Sequence, residues 1–298
     1  MRILLCAALL AAFPHAVPGE EAAAPGAPGA AASFENSLGM RFVAVPGTEA
    51  LVSIWETRVK DFRAFAEDRE GNGGWDYRRG EAAVVLRRDG WRPRGREFGW
   101  QSPGFEQTGE EPVVCVSWDD AQSFCRWLTA IERRRGTIAA DRAYRLPADR
   151  EWSLAAGLGG EPGASPRDKS ERAPGVYPWG GRFPPPPTAG NYAGAESRTE
   201  ETPSSGWSII EGFDDGYPRT SPVGRFAANR FGLYDMGGNV WEWCEDLYDR
   251  AAPGIRVLRG GSWSRFGART LLTSYRLAAK EPLRSDGNGF RCVLAKTR

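Results

Sequence analysis

Apolar residues recur every three to four positions in three segments of the chain, and each such stripe predicts an amphipathic helix. In TRVKDFRAFAED, following Thr57, the side chains of Val59, Phe62 and Phe65 fall on one face. The clearest stripe comes after Ser117, where Trp118, Ala121, Phe124, Cys125, Leu128 and Ile131 align and turn Cys125 toward the core. Ser117 with Asp120 has the form of a capping box, and Gly136 marks the stop. The third stripe, ADREWSLAAG after Pro147, turns Trp152 and Ala155 or Ala156 inward. Beyond Gly157 the periodicity dissolves into Gly, Pro and aromatic clusters such as VYPWGGRFPPPPTAGNYAG and EGFDDGYPRTSPVG, which predict little regular structure. So long an irregular stretch needs something to fix its loops, and bound cations or disulfides would do so.

A two-residue alternation appears in NVWEW, which sends Trp241 and Trp243 to one face of a strand and Glu242 to the other. It sits in FGLYDMGGNVWEWCEDLYD, where Asp235 and Glu242 bracket a Gly237-Gly238 turn that can aim carbonyls and acid oxygens at one point. Hard cations are held that way, calcium taking about six to eight oxygen ligands. A strand anchored by tryptophans, with Glu242 in solvent, explains the same residues equally well.

Composition narrows the partners. Hydrophobic residues make up 41% of the 298-residue chain, enough for a real core, and basic and acidic residues nearly cancel at 39 against 38. No global field therefore favours nucleic acid or an anionic membrane. Twelve Trp, 37 Gly and 22 Pro predict a loop-rich fold held by aromatic anchors rather than by long helices or extensive sheets. At the N-terminus Arg2 precedes an apolar run from Ile3 to Phe13, and residues 1–19 read as a secretory signal peptide, too short in their apolar part for a membrane span. Residues 20–33 read as a flexible linker and 34–298 as one domain without internal repeats, secreted or periplasmic.

Removing that leader takes away His15, the single histidine, and with it any Ser-His-Asp triad or His-ligated zinc or iron. Cys115, Cys125, Cys244 and Cys292 remain, an even number in an exported chain, which favours disulfides without fixing their connectivity.

Several strings, in order, resemble the formylglycine-generating enzyme family, the sulfatase-modifying factor domain: NSLGMRFVAVPG, PVVCVSWDDAQSFCRWL, YRLPADREWSLAAG, YPWG, SPVGRFAANRFGLYDMGGNVWEW, RVLRGGSW and GNGFRCVL. They span nearly all of the chain after the leader. The resemblance implies a single compact α+β domain, similar to C-type lectins and low in regular secondary structure. It implies two calcium sites: Asp235 and Glu242 through side chains with Gly238 and Val240 through carbonyls, and Asn191, Tyr192, Asp215 and Tyr217. Asp235 stands where the better-known enzymes of the family have Asn. The resemblance also pairs Cys125 with Cys292, leaving Cys115 and Cys244 either bridged or as separate buried thiols.

The enzymes of that family oxidise a sulfatase cysteine to formylglycine with oxygen and a copper(I) ion held by two cysteines after the GGSW-like motif. Here Arg265 and Thr270 fall at those offsets, and no cysteine lies between Cys244 and Cys292. A hydroxyl or a guanidinium cannot replace a thiolate on copper(I), so copper is not expected and no catalytic residue is assigned. Trp241, Ser262, Trp263, Arg265 and Arg276 resemble or flank the family's substrate groove and are its candidate binding residues, although each of the large ones would serve equally as a core anchor or structural cation. The run RRDGWRPRGREFGW, Arg87 to Trp100, offers a possible polyanion contact such as a sulfated glycan, or a solvated loop. The expected function is a non-catalytic, calcium-stabilised exported protein binding a polypeptide, a sulfatase or another exported protein; a diverged oxidase and a carbohydrate-binding module are the alternatives.

Overall fold

A computed structural model describes residues 33–200, 202–203 and 205–297; the expected signal peptide, and the linker except for Ser33, lie outside the described residues. In chain order the strands are β1 (Ser33–Glu35), β2 (Arg41–Ala44), β3 (Leu51–Ser53), β4 (Val84–Arg87), β5 (Gly90–Pro93), β6 (Arg142–Arg145), β7 (Trp241–Leu247), β8 (Ile255–Arg259), β9 (Leu277–Lys280), β10 (Asn288–Gly289) and β11 (Val293–Lys296). The helices are α1 (Val59–Glu67), α2 (Trp118–Arg134), α3 (Asp149–Ala155) and the single turn α4 (Pro166–Lys169).

All three periodic stripes become helices. Ser117 caps α2 as its sequence predicts, the Asp120 amide donating to Ser117 Oγ at 3.1 Å while Asp120 Oδ2 accepts from the Ser117 amide at 2.9 Å. Gly136 follows at φ +70°, a left-handed position that a Cβ disfavours. On α3, Trp152 and Ala155 are buried. Helix α2 runs 17 residues, filling the stretch between Ser117 and Gly136 that its stripe and stop predict.

The larger sheet runs β1-β2-β3-β11-β6, antiparallel throughout, so the C-terminal strand is inserted between elements from the first half of the chain. Helix α2 packs on β6 and α1 on α2. Between them lies an aromatic core in which Phe62 stacks on Phe124 at 5.9 Å and Phe290 meets Phe124 edge-on at 5.5 Å. Burying each such ring contributes about 1.5–3 kcal/mol, which lets a chain with so many loops hold together. The second sheet is β10-β7-β8-β9, with β10 parallel to β7 and an irregular register in β7 between Trp243 and Leu247. Trp241 and Trp243 both join the aromatic core, as their alternation predicts. Glu242 points the other way but is not in solvent: it is fully buried. Among the described residues from 158 to 240 the regular structure is α4 and one 3-10 turn, Ala195–Ser197.

Cys125 and Cys292 face each other across the core with their sulfurs 3.6 Å apart, as two thiols. Cys115 and Cys244 lie in separate apolar clusters and do not meet, so the even cysteine count does not resolve into two bridges. No helix among the described residues is long and apolar enough to cross a membrane.

Candidate binding site

The Phe231–Asp249 segment is built around backbone that few residues adopt. Asp235 and Asn239 have φ of +53° and +57°, and Gly238 between them has +85°. A Cβ on Gly238 would stand 2.4 Å from the Asn191 carbonyl oxygen, so both the conformation and the close approach require glycine. Strain of this kind costs on the order of 1–3 kcal/mol per non-glycine residue and persists only where the surroundings over-determine it. They do so here. The Asn239 side chain donates to Glu56 at 2.7 Å and accepts from the Ser221 amide at 3.0 Å, while its own amide donates to the Asn191 carbonyl at 2.8 Å.

Glu242 is held by Arg291 through two hydrogen bonds, 2.6 and 2.7 Å, and its Oε2 also accepts from Trp152 Nε1 at 2.8 Å. Both oxygens of this expected cation ligand are therefore already engaged. Asp235 differs: Oδ2 accepts from the Gly224 amide at 2.7 Å, but the buried Oδ1 has no hydrogen-bond partner. Burial pushes its carboxyl up to about 6 despite that amide and Arg291. Glu56, also fully buried, is pushed up by burial and by the charges of Asp235 and Glu242. Three carboxylates against the one guanidinium of Arg291 leave this interior short of positive charge.

The other expected cation set comes together in space. The Tyr192 and Tyr217 amides donate to the two oxygens of Asp215 at 2.8 and 2.9 Å, and Asn191, buried beside them, has an Oδ1 without a partner. Burial raises Asp215 to about 7, more than those amides lower it. Because Asn191 also touches the Gly238 turn, the two sets are neighbours. Each set leaves one buried oxygen without a partner, on Asp235 and on Asn191, which a calcium ion would take up, although no cluster of three or more Asp, Glu, His or Cys side chains stands there among the described residues. Copper(I) does not fit: Thr270 Oγ1 donates into its own turn at the Gly267 carbonyl, 3.0 Å, and no thiol accompanies it.

The GGSW turn carries the groove candidates. Gly260 and Gly261, at φ +96° and +89°, swing the chain out of β8, and the Trp263 amide then donates to the Asn239 carbonyl at 2.8 Å. Ser262 is buried and bonded to Ser264 at 3.0 Å. Arg265 lies between two indoles, 5.7 Å from the Trp241 ring and 6.0 Å from Trp91. Trp263 donates to the Asp286 carbonyl at 2.9 Å and packs against both Trp91 and Trp207. Arg276 is elsewhere: its side chain is wholly buried in a lock with Asp149, at 3.0 Å, and Glu161, at 2.7 Å. It is a structural cation, and its neighbour Tyr275 is the residue that reaches Trp241, at 5.9 Å.

Trp91, Trp207 and Tyr275 belong to this cluster and were not singled out for it by sequence. Trp91 arrives on the β4–β5 hairpin, where its indole N–H donates to Asp286 at 3.0 Å. The arginines of that hairpin are mostly engaged within the protein: Arg92 and Arg94 pair with Asp89, Arg88 with Glu200, and Arg96 donates to the Arg78 carbonyl. Arg87 covers the Phe98 ring at 5.3 Å. Local pairing, rather than a polyanion, accounts for this basic run.

Compared with known proteins, residues 51–296 match the family model described as "Sulfatase-modifying factor enzyme 1-like domain". The chain belongs to that family. Among relatives of this sulfatase-modifying factor domain, the "Inactive C-alpha-formylglycine-generating enzyme 2" of Mus musculus is 30% identical over 83% of this chain and 75% of its own length. The "Formylglycine-generating enzyme" of Streptomyces coelicolor is 34% identical over 61% of this chain and 52% of its own. Among solved structures, PvdO from Pseudomonas aeruginosa superposes with a TM-score of 0.59 at 21% identity, covering 89% of this chain and 98% of that one, which supports the shared fold. The mixed α+β, lectin-like fold of the family is thus the fold of this chain.

Proposed function

We propose that this family member is an exported, calcium-stabilised protein that binds a polypeptide through the aromatic groove around Arg265 and carries out no copper-dependent oxidation. The observation that carries the reading is the guanidinium of Arg265 between Trp91 and Trp241, at the offset where the resemblance calls for a copper ligand. A cation there repels a metal ion, while the indole faces around it offer the adaptable apolar contact that peptide chains use. Thr270, bonded into its own turn, supplies no soft ligand in compensation. Calcium is supported by the unpartnered oxygens of Asp235 and Asn191 and by the excess of buried carboxylate. Export is supported by the apolar run from Ile3 to Phe13.

Selecting a random-peptide display library on the purified chain tests the groove. Trp91 is 38% exposed but bonded to buried Asp286, so Trp91→Ala is compared with the parent by circular dichroism and melting temperature before binding is scored. Enriched peptides are expected to bind the parent chain and to lose at least about tenfold in affinity on the variant, as for an aromatic anchor. Equal binding to both, or no enrichment, contradicts the reading.

A further inference from the structure

Arg265 is the unusual member of the groove because it is largely enclosed and yet has no anionic partner. Its Nε–H is buried without a hydrogen-bond acceptor, and no described carboxylate lies within ion-pair distance of its guanidinium. Other enclosed guanidinium groups of this protein are treated differently: Arg259, Arg276, Arg284 and Arg291 each hold a carboxylate. Burial pushes Arg265 below its ordinary value, and only Tyr275 opposes the shift. Beside it the Trp241 indole N–H is a second buried donor with no acceptor. Two orphaned donors within one cation–π contact, with no acceptor between them, call for an acceptor from outside the chain.

Resting on the groove reading above, we propose that Arg265, with the Trp241 N–H, is a subsite for a carboxylate of the bound polypeptide. The Nε edge of a guanidinium presents two parallel donors to a planar carboxylate. The indole rings of Trp91 and Trp241, 6.0 and 5.7 Å from the guanidinium carbon, give the subsite apolar surroundings in which a charge-assisted hydrogen bond is strengthened. Charge points the same way. One unpaired guanidinium neutralises a monoanion, whereas a phosphate monoester, largely a dianion at neutral pH, asks for more positive charge than this subsite holds. Trp91 is exposed, and a cavity of about 460 Å³ opens beside Trp207, whose ring packs on Trp91, giving the rest of a chain room to lie.

The test is a titration of the 15N-labelled protein with benzoate, followed at the arginine Nε–H resonances, with Arg265→Lys identifying the Arg265 signal. A saturable shift of that signal with benzoate, absent with the neutral isostere benzamide, is expected. A signal unmoved by benzoate, or one moved as much by benzamide, or one that saturates at lower sulfate than benzoate concentration, overturns the proposal. The wild-type titration stands even if the variant folds poorly, since the shifting signal is then assigned by selective labelling. Display-selected peptides separate this claim from the groove reading. Replacing Glu and Asp by Gln and Asn, or amidating the C-terminus, distinguishes side-chain from terminal carboxylates, and loss of binding is expected in one of the two arms. Groove-dependent peptides indifferent to both changes leave the groove reading intact and refute the carboxylate subsite.

Discussion

Arg291 decides the electrostatics of the interior around the glycine turn. Its guanidinium faces Glu242 through two short hydrogen bonds and also donates to the carbonyls of Ser53 and Tyr234 at 3.1 and 2.9 Å. Removing one partner of a buried pair leaves an uncompensated charge and typically costs about 3–5 kcal/mol. Arg291→Met should therefore lower the free energy of unfolding by that amount in urea; a loss below about 1 kcal/mol would show Glu242 compensated by something else. At this scale the sequence was legible where a residue acts through its neighbours in the chain. Asp120, three residues from Ser117, was readable as its capping partner. Glu56 and Arg291 were not readable as partners of the turn and its strand, because their contacts lie 184 and 49 residues away and leave no local pattern. Arg276 looked available for binding for the same reason, since nothing near it in sequence announces Asp149, 127 residues earlier.

Helix α2 and the residue just before strand β11 meet at Cys125 and Cys292, 167 residues apart in sequence and 3.6 Å apart at sulfur. A disulfide needs about 2.05 Å, so a small closing movement suffices. Oxidised protein should yield a linked Cys125–Cys292 peptide in mass spectrometry, with Cys115 and Cys244 still free to alkylation after unfolding. Closing so long a loop should stabilise by about 4–5 kcal/mol relative to the reduced chain. Recovery of a Cys115–Cys244 peptide would contradict the placement of those residues in separate clusters. The helices were readable because a 3.6-residue period survives wherever one face is buried. The Arg87 to Trp100 string reads as a polyanion contact or a solvated loop because its arginines dominate it, and the role of the β4–β5 hairpin in carrying Trp91 onto Trp263 depends on tertiary approach alone.

For the whole molecule, two claims extend beyond any one element. Calcium, if it joins the long irregular region to the second sheet, should raise the melting temperature, and at roughly a hundredfold above its Kd it should add about 2.7 kcal/mol. Chelator should reverse the gain, and Asp235→Ala should abolish most of it; identical melting curves with calcium and chelator would count against both cation sets. The central claim is that the family fold here supports binding without oxidation. Its most direct measurement is incubation of the purified protein with copper(I), oxygen and a sulfatase-type cysteine peptide, followed by mass spectrometry for the aldehyde. The account predicts unmodified cysteine at every time point, whereas catalytic turnover to formylglycine, above the level of a protein-free control, would contradict it.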